Sequence, residues 1–251
     1  MTISSVDNKE ITRFSQVSNY WWSEKGPFKA LHQMNSIRLK YIRDYSLGHF
    51  CLNNYYCSFN NFHPLSNLNV LDIGCGGGLL SEPLCRMGSN VFAIDAALDA
   101  IKVAKQHSKL QGLKINYLHS SIENLAKICV SKFHIITALE VVEHVSDLNF
   151  FLKNCSKLIL PGGLLFFSTI NRSIISYVKA ILLAEYVTNI VPIGTHTWSK
   201  FVKPNEIAEV SSFYNLNILD LKGIEYNPFL KTWKDTTNLS LNYIGVLVKL
   251  K

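Results

Sequence analysis

The sequence predicts an α/β fold in which a mostly parallel sheet carries helices on both faces. Apolar, strand-like runs alternate along the chain with segments of helical periodicity, which is the pattern of βαβ units. The predicted strands are residues 70–73, 90–95, 113–119, 133–139, 164–169, 218–224 and 241–250, and the predicted helices include 96–110, 123–130 and 205–214. A run of glycines joins the first strand to the next helix, so we expect a ligand to approach the backbone there.

The composition is typical of one globular domain. Of the 251 residues, 48% are apolar and 17% are charged, which suffices for a full core. The formal net charge of +7 indicates an anionic partner, such as a nucleic acid, an acidic membrane surface or an acidic substrate. The chain has no block of five or more Lys and Arg residues, so we expect no nucleic-acid partner. A single domain spanning residues 1–251 is the expectation.

The cysteines and the N-terminus predict a cytoplasmic protein. Six cysteines are scattered without a C-x-x-C pair, and Cys75 lies within the glycine run, where a disulfide is not expected. Charged residues between Asp7 and Arg13 interrupt the N-terminus, so no secretory signal is expected.

Residues 1–45 are expected to form a helical extension. The apolar spacing in its second half predicts an amphipathic helix that packs on the sheet. Trp21 and Trp22 precede a Gly-Pro pair, and the sequence leaves open whether they belong to the core or close a pocket for an aromatic substrate. Arg38 is either a solvated helix charge or a guanidinium that pairs with the carboxylate of a ligand.

The glycine run after the first strand reads G-C-G-G-G. It lacks the Gly-Lys-Ser/Thr of a P-loop, and Leu79 occupies the sixth position, where dinucleotide-binding proteins have glycine. Gly74, Gly76 and Gly78 instead form G-x-G-x-G, which resembles motif I of class I S-adenosylmethionine (SAM) methyltransferases. The resemblance places Asp72 under the methionine end of SAM. The alternative is a tight turn without a ligand.

A second acidic residue, Asp95, ends the second predicted strand. At that position a carboxylate accepts hydrogen bonds from both ribose hydroxyls of an adenosyl group. Enzymes that use NAD also place an acid there, so the glycine spacing rather than Asp95 distinguishes the two cofactors. Alternatively, Asp95 only caps the following helix.

Further motifs resemble one particular family. They are W-W-x-x-x-G-x-F-K-x-L-H-x-x-N-x-x-R, V-L-D-I-G-C-G-G-G, E-V-V-E-H-V, P-G-G, F-F-S-T-I-N-R, G-T-H-T-W, K-F-V-K-P and Y-N-P. This set covers nearly the whole chain and resembles the ubiquinone biosynthesis O-methyltransferase family, although Ser36 stands where that family usually has proline. The resemblance implies a Rossmann-like fold with a seven-stranded sheet whose last strand is antiparallel, a loop at residues 46–69 and a helical insert after the fifth strand.

The ends of the third and fourth strands carry further expected cofactor contacts. In SAM enzymes the corner after the third strand contacts the adenine, which implies roles for Ile122 and Glu123. Glu123 either accepts a hydrogen bond from the adenine amine or only lies in the first turn of a helix. In the family, the position of Leu139 flanks the bound SAM.

Glu140, Glu143 and His144 follow the fourth strand with spacing i, i+3 and i+4, which directs side chains to one point on a helical turn. The resemblance makes them ligands of a divalent cation, usually magnesium, although imidazole suits zinc or manganese better. Alternatively, they shape the floor of the pocket. Glu140 and His144 are also candidate catalytic residues, because a histidine base can remove the proton of a substrate hydroxyl.

An apolar stretch at residues 173–193 lies within the predicted insert, residues 171–203. Lys179 and Glu185 argue against a membrane span, because each costs about 2.5–3.5 kcal/mol at a helix centre. Two short helices fit the pattern better, and they either cap the core or contact an anionic membrane surface. His196, at the end of the insert, is a candidate base or substrate contact.

The residues and the resemblance together predict SAM-dependent O-methylation. The family's acceptor is a hydroxyl of a polyprenylated catechol or demethylubiquinol ring, and Mg²⁺ is the expected metal. A phenol has a pKa of about 10, so a metal or a histidine must help to remove its proton. A peripheral position on the inner membrane and contact with other enzymes of ubiquinone biosynthesis are further expectations. Two alternatives stay open, namely methyl transfer to another small molecule or tRNA, and a SAM-binding scaffold without catalysis.

Overall fold

A sheet of eight strands forms the centre of the protein in a computed structural model that describes residues 4–52, 63–177, 198–227, 230 and 232–250. The strands are β1 (Asn69–Ile73), β2 (Asn90–Asp95), β3 (Asn116–His119), β4 (Phe133–Leu139), β5 (Ile159–Ile170), β6 (Leu216–Asn227), β7 (Thr232–Thr236) and β8 (Asn242–Lys249). Their order is β3-β2-β1-β4-β5-β8-β6-β7. The strands from β3 to β5 are parallel, whereas β8 pairs antiparallel with both β5 and β6. The predicted α/β fold is confirmed.

The sheet has one strand more than the seven predicted. The additional edge strand β7 pairs antiparallel with β6, from Thr232 opposite Asn227 to Thr236 opposite Gly223. Its sequence, T-W-K-D-T, is mostly polar and partly exposed. It therefore lacks the apolar pattern by which a strand is recognised in a sequence.

Helices cover both faces of the sheet. They are α1 (Asn8–Gln16), α2 (Lys29–Leu52), α3 (Ser81–Arg86), α4 (Leu98–Leu110), α5 (Ile122–Ile128), α6 (Leu148–Leu158), α7 (Ile174–Ser176) and α8 (Pro204–Ser212), with 3-10 turns at Ser18–Tyr20 and Trp198–Lys200. The predicted helical extension is present as α1 and α2. Because α2 continues to Leu52, the first residues of the loop predicted for 46–69 are helical. None of the helices in the described ranges is long and apolar enough to cross a membrane.

Each face of the sheet has its own apolar core, because adjacent strand residues point to opposite sides. Leu71 and Phe167 pack on one side with apolar side chains of α5, α6 and α8. Val70 and Phe166 pack on the other side with α2, α3 and α4. Each fully buried side chain of this size contributes about 1.5–3 kcal/mol. The two cores hold the strands, and thereby their ends, in fixed positions.

The strand order brings three carboxyl ends together at one edge. β1 lies between β2 and β4, and Ile73 at its end is in register with Ile94 of β2. The glycine run after β1 is therefore flanked by Asp95 on one side and by Leu139 on the other. Ligands of open α/β sheets bind at such a point, where connections leave in opposite directions.

Two glycine substitutions should change stability in opposite directions. Gly48 lies in α2 with no atom within 4 Å of an added Cβ, so Gly48→Ala should raise the free energy of unfolding by about 0.5–1 kcal/mol. A Cβ on Gly223 would overlap the backbone carbonyl of Asn238, so Gly223→Ala should lower that free energy by about 1–3 kcal/mol. Urea denaturation of both variants beside the wild type measures the two effects. A destabilised Gly48→Ala, or an unchanged Gly223→Ala, would contradict the packing described here.

Candidate functional site

The glycine run forms a turn that no other residue could make without strain. Gly74, Gly76 and Gly78 have φ angles of 67°, 53° and 93°, in the left-handed region. An added Cβ would overlap the side chain of Val141, Trp21 or Tyr117, respectively. The turn thus presents backbone atoms without side chains at the carboxyl end of β1.

Asp72 lies beneath this turn and is buried. Its two carboxylate oxygens accept hydrogen bonds from Ser81 Oγ at 2.6 Å and Thr137 Oγ1 at 2.7 Å. Burial raises the pKa of Asp72 to about 6, although these two hydrogen bonds act in the opposite direction. Asp72 therefore ties β1 to the start of α3 and to β4.

Asp95 lies beside the turn at the end of β2. It accepts hydrogen bonds from the backbone N–H groups of Gly76 at 2.8 Å and Ala97 at 2.7 Å. Burial raises the pKa of Asp95 above its ordinary value despite these bonds. The carboxylate thus holds the glycine turn and also the backbone just before α4, whose N-cap residue, Ala97, makes no side-chain cap hydrogen bond.

Both tryptophans of the N-terminal segment, defined here as residues 4–28, cover the turn. Trp21 is buried, lies against Gly76 and Gly77, and stacks on Phe28 with ring centroids 3.7 Å apart. Trp22 donates from Nε1 to the Gly77 carbonyl at 3.0 Å. Trp21 is thus a core residue that packs on the glycine turn, and its role as the lid of a pocket for an aromatic substrate stays a prediction.

The N-terminal segment also reaches the corner after β3. The buried carboxylate of Glu123, in the first turn of α5, accepts hydrogen bonds from Ser4 Oγ at 2.7 Å and from Ser5 N at 2.7 Å. Ile122 beside it is buried in the core. The corner for which an adenine contact is expected is thus held by Ser4 and Ser5 in this structure.

Arg38 and Glu140 were predicted to have separate roles, but the structure pairs them. Arg38 Nη2 lies 2.6 Å from Glu140 Oε1, which also accepts a hydrogen bond from Ser168 Oγ at 2.6 Å. Arg38 is buried, and its Nε has no hydrogen-bond acceptor within the described residues. Leu139, just before Glu140, is partly buried at the end of β4. The pair joins α2 to the end of β4.

Glu143 and His144 have other partners. Buried Glu143 accepts a hydrogen bond from Thr169 Oγ1 at 2.8 Å, and burial together with the charge of Glu140 raises its pKa to about 7. His144 Nδ1 lies 3.2 Å from Glu10 Oε2. Burial lowers the pKa of His144, but the surrounding carboxylates, Glu10 first, raise it above its ordinary value. His144 in turn lowers the pKa of Glu10 to about 2.

The predicted magnesium site is not supported. Its spacing argument assumed a helical turn, but residues 140–144 form an irregular turn and the next helix begins only at Leu148. Glu140, Glu143 and His144 each have a different partner, and the described part of the chain contains no group of three His, Cys, Asp or Glu residues placed to hold a metal ion. In this arrangement the three side chains do not fit a divalent cation.

Two charged residues of the site were missed in the sequence. Glu10 bridges His144 and Lys200, whose Nζ lies 3.1 Å from Glu10 Oε1, and Lys200 also pairs with Asp7 at 2.8 Å. The contacts join residues more than a hundred positions apart, so no local pattern signals them. The sequence carries one signal for Glu10, which is an acidic residue next to Ile11 in a helix with few apolar residues.

Part of the predicted insert lies outside the described residues. This holds for His196 and for residues 178–193 of the apolar stretch. The flanks are described, and they expose large apolar side chains. These are Ile174, Ile175, Tyr177 and Trp198, with 81%, 46%, 45% and 39% of their surface exposed.

Residues 71–167 match the family model described as a methyltransferase domain. The chain is 44% identical to a ubiquinone biosynthesis O-methyltransferase of Pelagibacter ubique, over 98% of this chain and 100% of that protein. It is 40% identical to one of Rhizobium johnstonii over 96% and 95% of the two chains. It is 39% identical to the mitochondrial one of Rattus norvegicus over 100% of this chain and 72% of that protein.

Solved structures share the fold at low sequence identity. A magnesium protoporphyrin IX methyltransferase from Synechocystis, with bound S-adenosylhomocysteine (SAH), aligns with a TM-score of 0.60 at 16% identity and covers 95% and 94% of the two chains. A SAM-dependent methyltransferase from Clostridium acetobutylicum aligns with a TM-score of 0.59 at 20% identity and covers 89% and 97%. The fold is therefore that of SAM-dependent methyltransferases, and the relatives above show that the chain belongs to the ubiquinone biosynthesis O-methyltransferase family.

Proposed function

We propose that the protein transfers the methyl group of SAM to a hydroxyl of a polyprenylated catechol or demethylubiquinol ring in ubiquinone biosynthesis. One observation carries this proposal. The glycine turn after β1, Asp95 at the end of β2 and His144 after β4 all lie at the same edge of the sheet. Identity of 39–44% to ubiquinone biosynthesis O-methyltransferases over nearly the whole chain supports the choice of substrate class.

The glycine turn and its neighbours suit SAM. The turn offers backbone without Cβ atoms, and we assign the ribose hydroxyls to Asp95 beside it. Two buried donors near the turn, Arg38 Nε and Trp21 Nε1, have no acceptor within the described residues. A ligand carboxylate would satisfy such donors, and an unpaired buried donor costs about 1–3 kcal/mol. We therefore assign the methionine end of SAM to the side of Arg38, and the adenine to the corner of Ile122 and Glu123.

His144 is the proposed base. In the transfer, the hydroxyl oxygen of the acceptor attacks the methyl carbon of SAM, the carbon–sulfur bond breaks, and the products are a methyl ether and SAH. We assign the hydroxyl proton to His144, and to its Nε2 because Nδ1 lies 3.2 Å from Glu10 Oε2. A divalent cation at Glu140, Glu143 and His144 would have to displace their present partners, so we assign no step to it. His196 remains a second proposed substrate contact.

Removing the carboxylate of Asp95 should weaken SAM binding selectively. Hydrogen bonds to a charged group contribute about 1.5–3 kcal/mol, so Asp95→Ala should raise the KM for SAM about 10- to 100-fold. Transfer of labelled methyl to a prenylated catechol measures this. The matched control is Asp99→Ala, since Asp99 is a half-exposed residue that pairs with Lys102. An unchanged KM in Asp95→Ala, or no transfer by the wild type, would contradict the proposal.

Trp21 should report cofactor binding. Because its indole lies on Gly76 and Gly77, a ligand that approaches those glycines from the same side must move it. Titration with SAH should therefore change the tryptophan fluorescence of the wild type. The change should be lost in Trp21→Phe and kept in Trp233→Phe, whose tryptophan lies on the edge strand β7. Because Trp22 also contacts the turn, through Gly77, a signal that persists in the double variant Trp21→Phe/Trp22→Phe would contradict this site for the ligand.

We further propose that the flanks of the insert contact an anionic membrane surface, where a polyprenyl substrate resides. Four large apolar side chains are exposed at these flanks, and the net charge of +7 favours an acidic surface. Trp198 Nε1 donates to the Ser173 carbonyl at 3.1 Å, which holds the two flanks together. The exposed apolar groups therefore form one patch rather than two.

Vesicle binding tests this surface. Ile174→Ser should lower the fraction of protein that sediments with phosphatidylglycerol–phosphatidylethanolamine vesicles, with a partition constant about tenfold smaller for the loss of one buried apolar side chain. The matched control is Ile128→Ser, because Ile128 is exposed to a similar extent, 79%, at the end of α5. Equal losses of vesicle binding in both variants would contradict a specific role of the insert flanks. An absence of binding by the wild type would refute the proposed membrane contact.

A further inference from the structure

We propose that residues 4–6 form a strap that Glu123 holds across the cofactor edge of the sheet, so that SAM enters only after the strap detaches. Glu123 is then a positioning residue, because it acts on cofactor entry through the strap. This inference rests on one part of the proposed function, the assignment of SAM to the edge that carries the glycine turn.

The strap occupies the carboxylate of Glu123. Oε1 accepts hydrogen bonds from Ser4 Oγ and Ser5 N, both at 2.7 Å, and Oε2 accepts one from Ser5 Oγ at 3.1 Å. Burial raises the pKa of Glu123, but hydrogen bonds from its own backbone N–H and from Ser4 and Ser5 lower the pKa below its ordinary value. An ionised carboxylate offers about four acceptor sites, and the strap and the helix use them. The amine of an adenine can therefore reach this carboxylate only after the strap has detached.

The strap also pairs with the turn that follows β4. Val6 and Val145 form an antiparallel bridge. Ser146 donates from N to the Ser5 carbonyl at 2.9 Å and from Oγ to the Ser4 carbonyl at 2.8 Å. The strap thus joins the start of the helix after β3 to the turn after β4, and both follow the carboxyl end of a strand.

The N-terminal segment returns to the same edge at its other end. Trp21 lies against Gly76 and Gly77, and Trp22 donates from Nε1 to the Gly77 carbonyl at 3.0 Å. The ring of Trp22 also stacks on that of His107 in α4, with centroids 3.4 Å apart. The segment is therefore attached beside both places that we assign to SAM, the glycine turn and the corner after β3.

The two ends of this segment are attached by different kinds of contact. Trp21 and Phe28 are buried in an apolar cluster with Ala97 and Ala100. In contrast, no residue of α1 is buried, and polar groups hold the strap. Segments with few buried apolar contacts open locally at a low free energy. The strap is therefore the end that we expect to detach.

Removing the carboxylate of Glu123 should let the cofactor enter faster. A protein that binds only in its open form associates with its ligand in proportion to the population of that form. In Glu123→Ala the strap loses its hydrogen bonds to a charged group, so the association rate constant for SAH should rise about 10- to 100-fold. Stopped-flow tryptophan fluorescence at several SAH concentrations measures it. The matched control is Asn124→Ala, an exposed residue in the same turn of α5, which should behave as the wild type.

A second variant tests the strap without changing Glu123. Ser4→Ala/Ser5→Ala removes two of the three donors that the strap directs to the carboxylate, so the association rate constant should rise about 3- to 10-fold. Combined with Glu123→Ala, this change should have no further effect, because both act on the same contacts. The serine variant also carries the test if Glu123→Ala is too unstable to purify.

The direction of the change separates a strap from other roles of Glu123. Loss of a direct contact to the adenine raises the dissociation rate constant and leaves association unchanged, and a damaged site slows association. An association rate constant that stays at the wild-type value or falls in either variant would therefore overturn the proposal, and so would an equal rise in Asn124→Ala.

These rate constants are measured without a methyl acceptor, so they separate the strap from the proposed substrate. Faster SAH entry in both variants would support the strap even if the wild type transferred no methyl group to a prenylated catechol, a result that would refute the proposed substrate alone. A wild type that binds no SAH would refute the cofactor site and the strap with it.

Discussion

The site depends on one constraint, that the carboxyl ends of β2, β1 and β4 meet at one edge and that the turn after β1 has no side chains. The two apolar cores fix the strands, and the left-handed φ angles at Gly74, Gly76 and Gly78 allow the chain to turn sharply. Asp72 then locks the turn from below through Ser81 and Thr137. The two acidic residues beside the turn, Asp72 and Asp95, are thus positioned by the strands that carry them.

The N-terminal segment covers this edge and makes contacts with residues that we assign to the ligand. Trp21 covers the glycines, Ser4 and Ser5 satisfy the carboxylate of Glu123, and Lys200 anchors the start of α1. Buried polar groups must find partners, and here the chain supplies them itself. Binding of SAM would exchange internal contacts for contacts to the ligand, so its net affinity would be smaller than the sum of its contacts.

The sequence predicted the parts of the site that depend on local pattern. The spacing of the three glycines and the position of Asp95 at a strand end placed the turn and its neighbour correctly, because period and strand direction determine which residues reach the edge. The contacts of Glu10, Ser5 and Trp21 were not predictable, since they depend on how α1 packs against residues more than fifty positions away. The magnesium site is not supported, because i, i+3, i+4 spacing has its meaning only in a helix, and Glu140 has a φ of 54°.

Charge balance gives a physical reason for the arrangement around His144. The carboxylates of Glu10 and Glu140 face Lys200 and Arg38, respectively, while the pKa of Glu143 is raised to about 7. Asp7 also pairs with Lys200, so three carboxylates face two cations when His144 is neutral, which agrees with the raised pKa of His144.

Exclusion of water from the site suits the proposed methyl transfer. Methyl transfer from a sulfonium to a phenolate consumes one positive and one negative charge, so the transition state is less charged than the reactants. Water stabilises the charged reactants more than such a transition state, and exclusion of water therefore favours the reaction. Trp21 covers the glycine turn and Phe14 of α1 packs on the ring of His144, so the N-terminal segment lies over both parts of the edge. In the proposed reaction, a segment that stays over the edge when SAM binds would favour methyl transfer by keeping water out.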